Sequence, residues 1–154
     1  MESSGADFRY NRSMTKNTVL FLCTGNSARS QMAEAFLRAY GGERFEVYSA
    51  GTQPTEINPF TRRAMAELGF DLAGHYSKNV ADFRGVIDFD TVITVCGEAN
   101  ENCPVYLGRA NQRLHWDFED PARFEGSDEE TLAKFREVRD AIAARVKAWL
   151  DTGI

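Results

Sequence analysis

The chain has 154 residues, enough for one domain with a single core. Its 18 Lys and Arg against 23 Asp and Glu leave a net charge of −5, which removes the basic face that binding a nucleic-acid backbone requires. No apolar run approaches the roughly 20 residues that span a bilayer, and the first segment lacks the apolar centre of a secretory signal, so we expect a cytoplasmic protein without membrane contact. Three cysteines in a reducing compartment are not a structural disulfide framework, and two histidines without cysteines at zinc-ligand spacing give no expectation of a metal.

Residues 1–17 are polar and without periodicity and are expected to be a mobile N-terminal tail, leaving residues 18–154 as the folded domain. Met14 is a second potential start, because everything the fold needs begins near Thr18. Val19-Leu20-Phe21-Leu22 reads as a short buried strand, and Met32, Ala33, Phe36, Leu37 and Tyr40 mark one face of the helix that follows. Gly41-Gly42 stops that helix, and Phe45 to Ala50 is a second strand. Asn58-Pro59 caps a helix whose inner face is Phe60, Ala64, Met65 and Leu68, and Gly69 ends it. Phe70 to Ser77 is irregular, and Val80 to Phe83 is a short helical turn. Phe89 to Val95 is a third strand running directly into Cys96, Gly97 to Pro104 is a polar loop, and a weaker strand lies around Arg113 to Trp116. Ser127-Asp128-Glu129-Glu130 is a capping box that opens a long closing helix through Leu132, Phe135, Val138, Ile142, Val146 and Trp149. Strands alternating with helices imply an α/β domain with a parallel sheet covered on both faces, and ligands bind such sheets beyond the carboxyl ends of the strands.

The turn between the first strand and helix carries the chemistry. Thr24, Gly25, Asn26, Ser27, Ala28, Arg29 and Ser30 offer successive backbone N–H groups at the positive end of a helix, which is a nest for an oxyanion, and Arg29 adds a planar fork of donors. The same field favours the thiolate of Cys23, so a nucleophile and the anion it would attack share one loop.

Cys23 followed by five residues and Arg29-Ser30 resembles the phosphate loop of the low-molecular-weight protein tyrosine phosphatases and of their relatives, the thioredoxin-coupled arsenate reductases. Gln31-Met32-Ala33-Glu34-Ala35 is similar to the reductase branch, since the phosphatases usually carry Pro where Gln31 stands. The resemblance implies a single-domain open sheet of four parallel strands in the order 2-1-3-4, which brings the ends of the first and third strands, and so Cys23 and Cys96, to one edge. Cys96 and Cys103 are separated as in the redox segment of the reductases, and a flexible loop between them lets the sulfurs meet where a rigid helix would not. The implied reaction runs from Cys23 attack on arsenate to a Cys23–Cys96 disulfide and then to a Cys96–Cys103 disulfide that thioredoxin reduces.

Asp120 before Pro121 matches the general acid of both branches and is preferred to Asp117 and Glu119; His115-Trp116 ahead of it is similar to the reductases, and Ala122 stands where the phosphatases commonly have tyrosine. Asn26 is expected to fix the loop, and Ser30 to donate to the Cys23 thiolate. No cofactor is expected, with electrons taken from thioredoxin. Some relatives hold potassium near residues matching Asn26, Glu34 and Ser49; here Lys78 departs from the pattern, its ammonium standing in for the ion against Glu34. The other expected partners are arsenate, with phosphate or sulfate competing, and the chain is expected to be a monomer. Two rivals remain: a small phosphotyrosine phosphatase that uses Cys23, Arg29 and Asp120 alone, and a non-catalytic oxyanion-binding or redox-sensing module.

Overall fold

The computed structural model describes residues 16–97 and 103–153. The predicted tail therefore lies outside the described residues up to position 15, and Asn17 already opens the first strand. Four strands, β1 (Asn17–Cys23), β2 (Phe45–Gly51), β3 (Phe89–Thr94) and β4 (Ala110–His115), form one sheet in the order β2-β1-β3-β4, every pair parallel. Three α-helices accompany them: α1 (Arg29–Gly41), α2 (Pro59–Ala66) and α3 (Asp128–Thr152).

Alternation along β1 sends Val19 and Phe21 to one face and Leu20 and Leu22 to the other. The first face is covered by apolar residues of all three helices, among them Met32, Phe36, Met65, Phe135, Ile142 and Trp149. The second packs Leu20, Leu22, Ala50, Phe89, Val92 and Tyr106 beneath Val80, Phe83 and Ile87, so the 3-10 turn Val80–Asp82 and its flanks close the side that the α-helices leave. Strand β4 lies at the sheet edge and is mostly exposed, which is why its residues are polar and its apolar signal weak; it starts at Ala110, three residues before the expected Arg113.

Helix boundaries follow their chemistry. Asn58 accepts from Phe60 N at the start of α2, and Ser127 and Glu130 exchange hydrogen bonds at the start of α3 as a complete capping box. Gly42 ends α1 at φ 62°, a conformation that side chains resist. The inner face of α2 is Thr61, Ala64 and Met65, with Phe60 on its flank against Phe135. Leu68, expected on that face, is 47% exposed because the helix ends at Ala66 and the chain turns away. Glu67, just past that end, is held by Arg136 and Arg139 of α3; its carboxyl pKa falls from 4.5 to about 2, chiefly through the Arg136 hydrogen bond.

Among the described residues no helix is long and apolar enough to cross a membrane.

Candidate active site

Pairing places Cys23 opposite Gly51, Leu22 opposite Thr94, and Thr94 opposite His115, so the carboxyl ends of all four strands line one edge. The loop from Thr24 to Ala28 leaves that edge and enters α1 at Arg29. Its shape is imposed from outside. The carbonyls of Thr24, Gly25 and Ser27 accept from Gln53 N (2.9 Å), Thr55 N (3.0 Å) and Asn58 N (3.1 Å), and Thr61 Oγ1 adds a second bond to Ser27 O. A trans peptide points its C=O and the next N–H in opposite directions, so these bonds turn the N–H groups of Gly25, Asn26 and Ala28 into the hollow of the loop. Asn26 N accordingly donates to Cys23 Sγ at 3.3 Å. The result is a loop whose amide hydrogens face inward, toward the Cys23 sulfur.

Asn26 is buried and takes the left-handed conformation at φ 51°, which asparagine tolerates. Its amide orientation is settled by Lys78 N, which donates to Oδ1 at 2.9 Å. Nδ2 then donates to Ser30 Oγ at 2.7 Å, and the Ser30 hydroxyl keeps its own proton for Cys23 Sγ, 2.9 Å away. Two donors thus converge on a sulfur that is 2% exposed.

Gln31 was informative in the sequence only as a mark of one branch; in the fold it is a buried clamp. Its Nε2 donates one hydrogen to Tyr76 O and shares the other between Asn26 Oδ1 and Asn26 O, and its Oε1 meets His75 Nδ1 at 3.0 Å. Since Nε2 is committed as donor, His75 Nδ1 carries the proton in this bond. Burial pushes the His75 pKa down from its ordinary 6.5, against the opposing pull of Glu34. The folded chain therefore favours the neutral ring, a contribution complete above about pH 6.5 and declining as the pH falls toward the lowered folded value. Denaturant unfolding at pH 7.5 and 5.5 should show wild type losing more stability over this interval than His75→Asn; equal losses would remove His75 from the acid limb.

Gly51 is required by close approach: a Cβ there would stand 2.4 Å from Thr24 O and 2.9 Å from Asn26 N. Gly51→Ala should displace the loop, cost about 1–3 kcal/mol in stability and weaken phosphate binding, as read by chemical denaturation and calorimetric titration. A variant as stable and as tight-binding as wild type would contradict this packing.

Arg29 is buried, with Nη1 on Phe118 O at 3.1 Å and Nη2 3.7 Å from Asp120 Oδ2. Asp120 caps the 3-10 turn Pro121–Arg123 through Oδ1, which accepts from Ala122 N, and keeps Oδ2 toward Arg29. Glu119 pairs with Lys134 of α3 instead. The Thr24–Ala28 loop, Arg29 and Asp120 thus meet at one place.

Cys96 and Cys103 are disulfide-bonded with their Cα atoms 5.7 Å apart, while Cys23 is free. Residues 98–102 of the predicted loop between them lie outside the described residues. Cys96 is fully buried at the end of β3, and Cys103 is half-buried. His115, at the end of β4, was read only as part of a family likeness, yet its Nδ1 lies 3.7 Å from Cys103 Sγ and 2.7 Å from Thr94 Oγ1.

Near Asn26, Glu34 gathers Ser49 Oγ, Arg38 (2.8 Å) and Lys78 Nζ (3.9 Å), and the Lys78 ammonium also donates to Tyr76 O at 2.8 Å. Burial lowers the Lys78 pKa, outweighing the attraction of Glu34.

A four-stranded parallel sheet that ends its first strand in a cysteine and turns the amides of the next loop toward that sulfur defines a class of proteins with a cysteine at the mouth of an amide-lined loop. Within it, the chain belongs to the Low molecular weight phosphotyrosine protein phosphatase family, whose profile matches residues 18–152. It is 44% identical over 140 residues to an arsenate reductase of Halalkalibacterium halodurans, covering 91% of this chain and 99% of that one. An arsenate reductase of Bacillus subtilis is 42% identical with the same coverage. Among solved structures, an arsenate reductase in the phosphate binding state superposes with a TM-score of 0.72 at 32% identity, over 88% of this chain and 97% of that one.

Proposed function

We propose that the protein is an arsenate reductase working through a relay of its three cysteines. The observation that carries this reading is the pairing of Cys96 with Cys103 beside a free Cys23 seated in an anion nest, the arrangement a relay reaches when its last disulfide has formed. Arsenate is held by the loop amides and Arg29. Cys23 thiolate attacks arsenic, and one oxygen leaves as water with a proton from Asp120, giving a thio-arsenate. Cys96 thiolate then attacks the Cys23 sulfur. The sulfur–arsenic pair of electrons stays with arsenic, arsenite departs and a Cys23–Cys96 disulfide remains. Cys103 thiolate attacks Cys96, which frees Cys23 and moves the disulfide outward.

The burial difference supports this order. Cys96 is shielded while Cys103 is partly open, so an external dithiol of the thioredoxin class reaches Cys103 and releases Cys96 back to the sheet edge. The reaction runs in the cytoplasm on a monomer, with phosphate and sulfate competing for the nest. The Lys78 ammonium fills the role that potassium has near Glu34 in some relatives. Added potassium should therefore leave the rate unchanged, and a clear rise would count against the substitution.

A phosphatase needs none of the chemistry of Cys96 and Cys103. The two readings separate when the chain is supplied with thioredoxin, thioredoxin reductase and NADPH. Sustained arsenate-dependent NADPH oxidation, with slow hydrolysis of aryl phosphates, is the expected outcome. Brisk hydrolysis without arsenate-dependent oxidation would assign the site to phosphate esters.

A further inference from the structure

Parallel pairing of β3 with β4 sets His115 opposite Thr94, two residues before Cys96. The sulfurs of Cys96 and Cys103 and a ring nitrogen of His115 all lie within 4.8 Å of one another. A zinc ion with Zn–S of about 2.3 Å and Zn–N of about 2.0–2.1 Å in a tetrahedron needs a sulfur–nitrogen edge of roughly 3.6 Å and a sulfur–sulfur edge of roughly 3.8 Å. The 3.7 Å between Cys103 Sγ and His115 Nδ1 is already such an edge. Opening the disulfide has only to let the sulfurs part to the second edge, from Cα atoms 5.7 Å apart.

The surroundings suit a metal that comes and goes. Thr94 Oγ1 now lies against His115 Nδ1 at 2.7 Å, and Leu114 O, 3.4 Å from the same hydroxyl, is an alternative acceptor when the nitrogen takes a ligand. Cys96 closes the back of the site, while His115 is exposed and Cys103 half-exposed, which leaves an entry path and a fourth position for water.

We propose that the reduced chain binds one borderline-soft divalent cation, of which zinc is the type, through Cys96, Cys103 and His115, and that closing the disulfide expels it. The proposal rests on the relay above only in requiring that this pair opens and closes. On binding, two thiols lose two protons as two sulfur–metal bonds form, and no electron moves. While the cation is bound it withholds Cys96 from attack on the Cys23 thio-arsenate and Cys103 from the exchange that follows, so bound zinc arrests turnover reversibly; after it dissociates, the arsenate on Cys23 takes up the two electrons released as the Cys96–Cys103 disulfide closes. Hard cations such as magnesium, which prefer oxygen, are not taken.

The test uses the full chain, reduced, freed of reductant under nitrogen and titrated with zinc against a chromophoric chelator. The expected result is one equivalent bound by the reduced chain and at least ~100-fold weaker binding by the disulfide form. Cys23→Ser, which cannot turn over arsenate, should bind as tightly as wild type, so the outcome does not depend on the reductase reading. Cys103→Ser and His115→Ala should each weaken binding at least ~10-fold. With cobalt(II) as the probe, the thiolate-to-cobalt absorption should diminish in Cys103→Ser, while circular dichroism matches the parent. Equal binding by both redox forms, loss of binding in Cys23→Ser, or undiminished binding in His115→Ala would each overturn the proposal.

Discussion

Cys23→Ser should leave a folded chain that still binds phosphate and arsenate but releases no arsenite, with the rate down on the order of 10⁴-fold or more. The substitution exchanges one small buried atom for another. Asn26 N and Ser30 Oγ still find an acceptor at position 23, so the loop keeps its shape. What disappears is the sulfur nucleophile: a serine hydroxyl is not ionised near neutral pH, and oxygen is a poor partner for the later sulfur exchange. Stopped-time arsenite assays and calorimetric phosphate titration measure the two halves separately. Residual activity within tenfold of wild type would move the nucleophile elsewhere, and loss of phosphate binding would mean that the sulfur supports the nest itself.

Cys103→Ser should behave differently. Its first two thiols are intact, so each molecule should release one arsenite and then stop, trapped as a Cys23–Cys96 disulfide. Both of those cysteines are buried, at 2% and 0% exposure, and exchange with an outside dithiol requires access to sulfur. The steady rate with thioredoxin should fall at least ~100-fold while the first-turnover burst keeps its full amplitude. Continued cycling at the wild-type rate would show that the reductant reaches Cys96 directly and that Cys103 is dispensable.

Much of this frame was legible because a few residues speak through local rules. A run of apolar residues, a cysteine, a tight polar turn and a helix-facing stripe specify the Cys23–Arg29 unit, and Asn58-Pro59 and the Ser127–Glu130 box announce their helices from side-chain hydrogen bonds alone. The reading went astray where periodicity outran the element, as at Leu68, and where an edge strand has no reason to be apolar, as at Ala110 to Gln112. It understated residues whose roles depend on distant partners. Gln31 reaches Tyr76, and Gly51 must yield to Thr24 O. His115 joins Cys96 and Cys103 only because β4 docks beside β3, so no spacing in the chain could announce three donors within 4.8 Å. Such contacts are set by the sheet order, which came from family likeness rather than from composition.

The most direct test of the relay mixes fully reduced protein with one equivalent of arsenate, quenches with an alkylating agent and locates the modified cysteines by mass spectrometry. The account predicts one arsenite released, Cys23 alkylated, and Cys96 joined to Cys103. All three cysteines alkylated after the same exposure, with no arsenite formed, would contradict it.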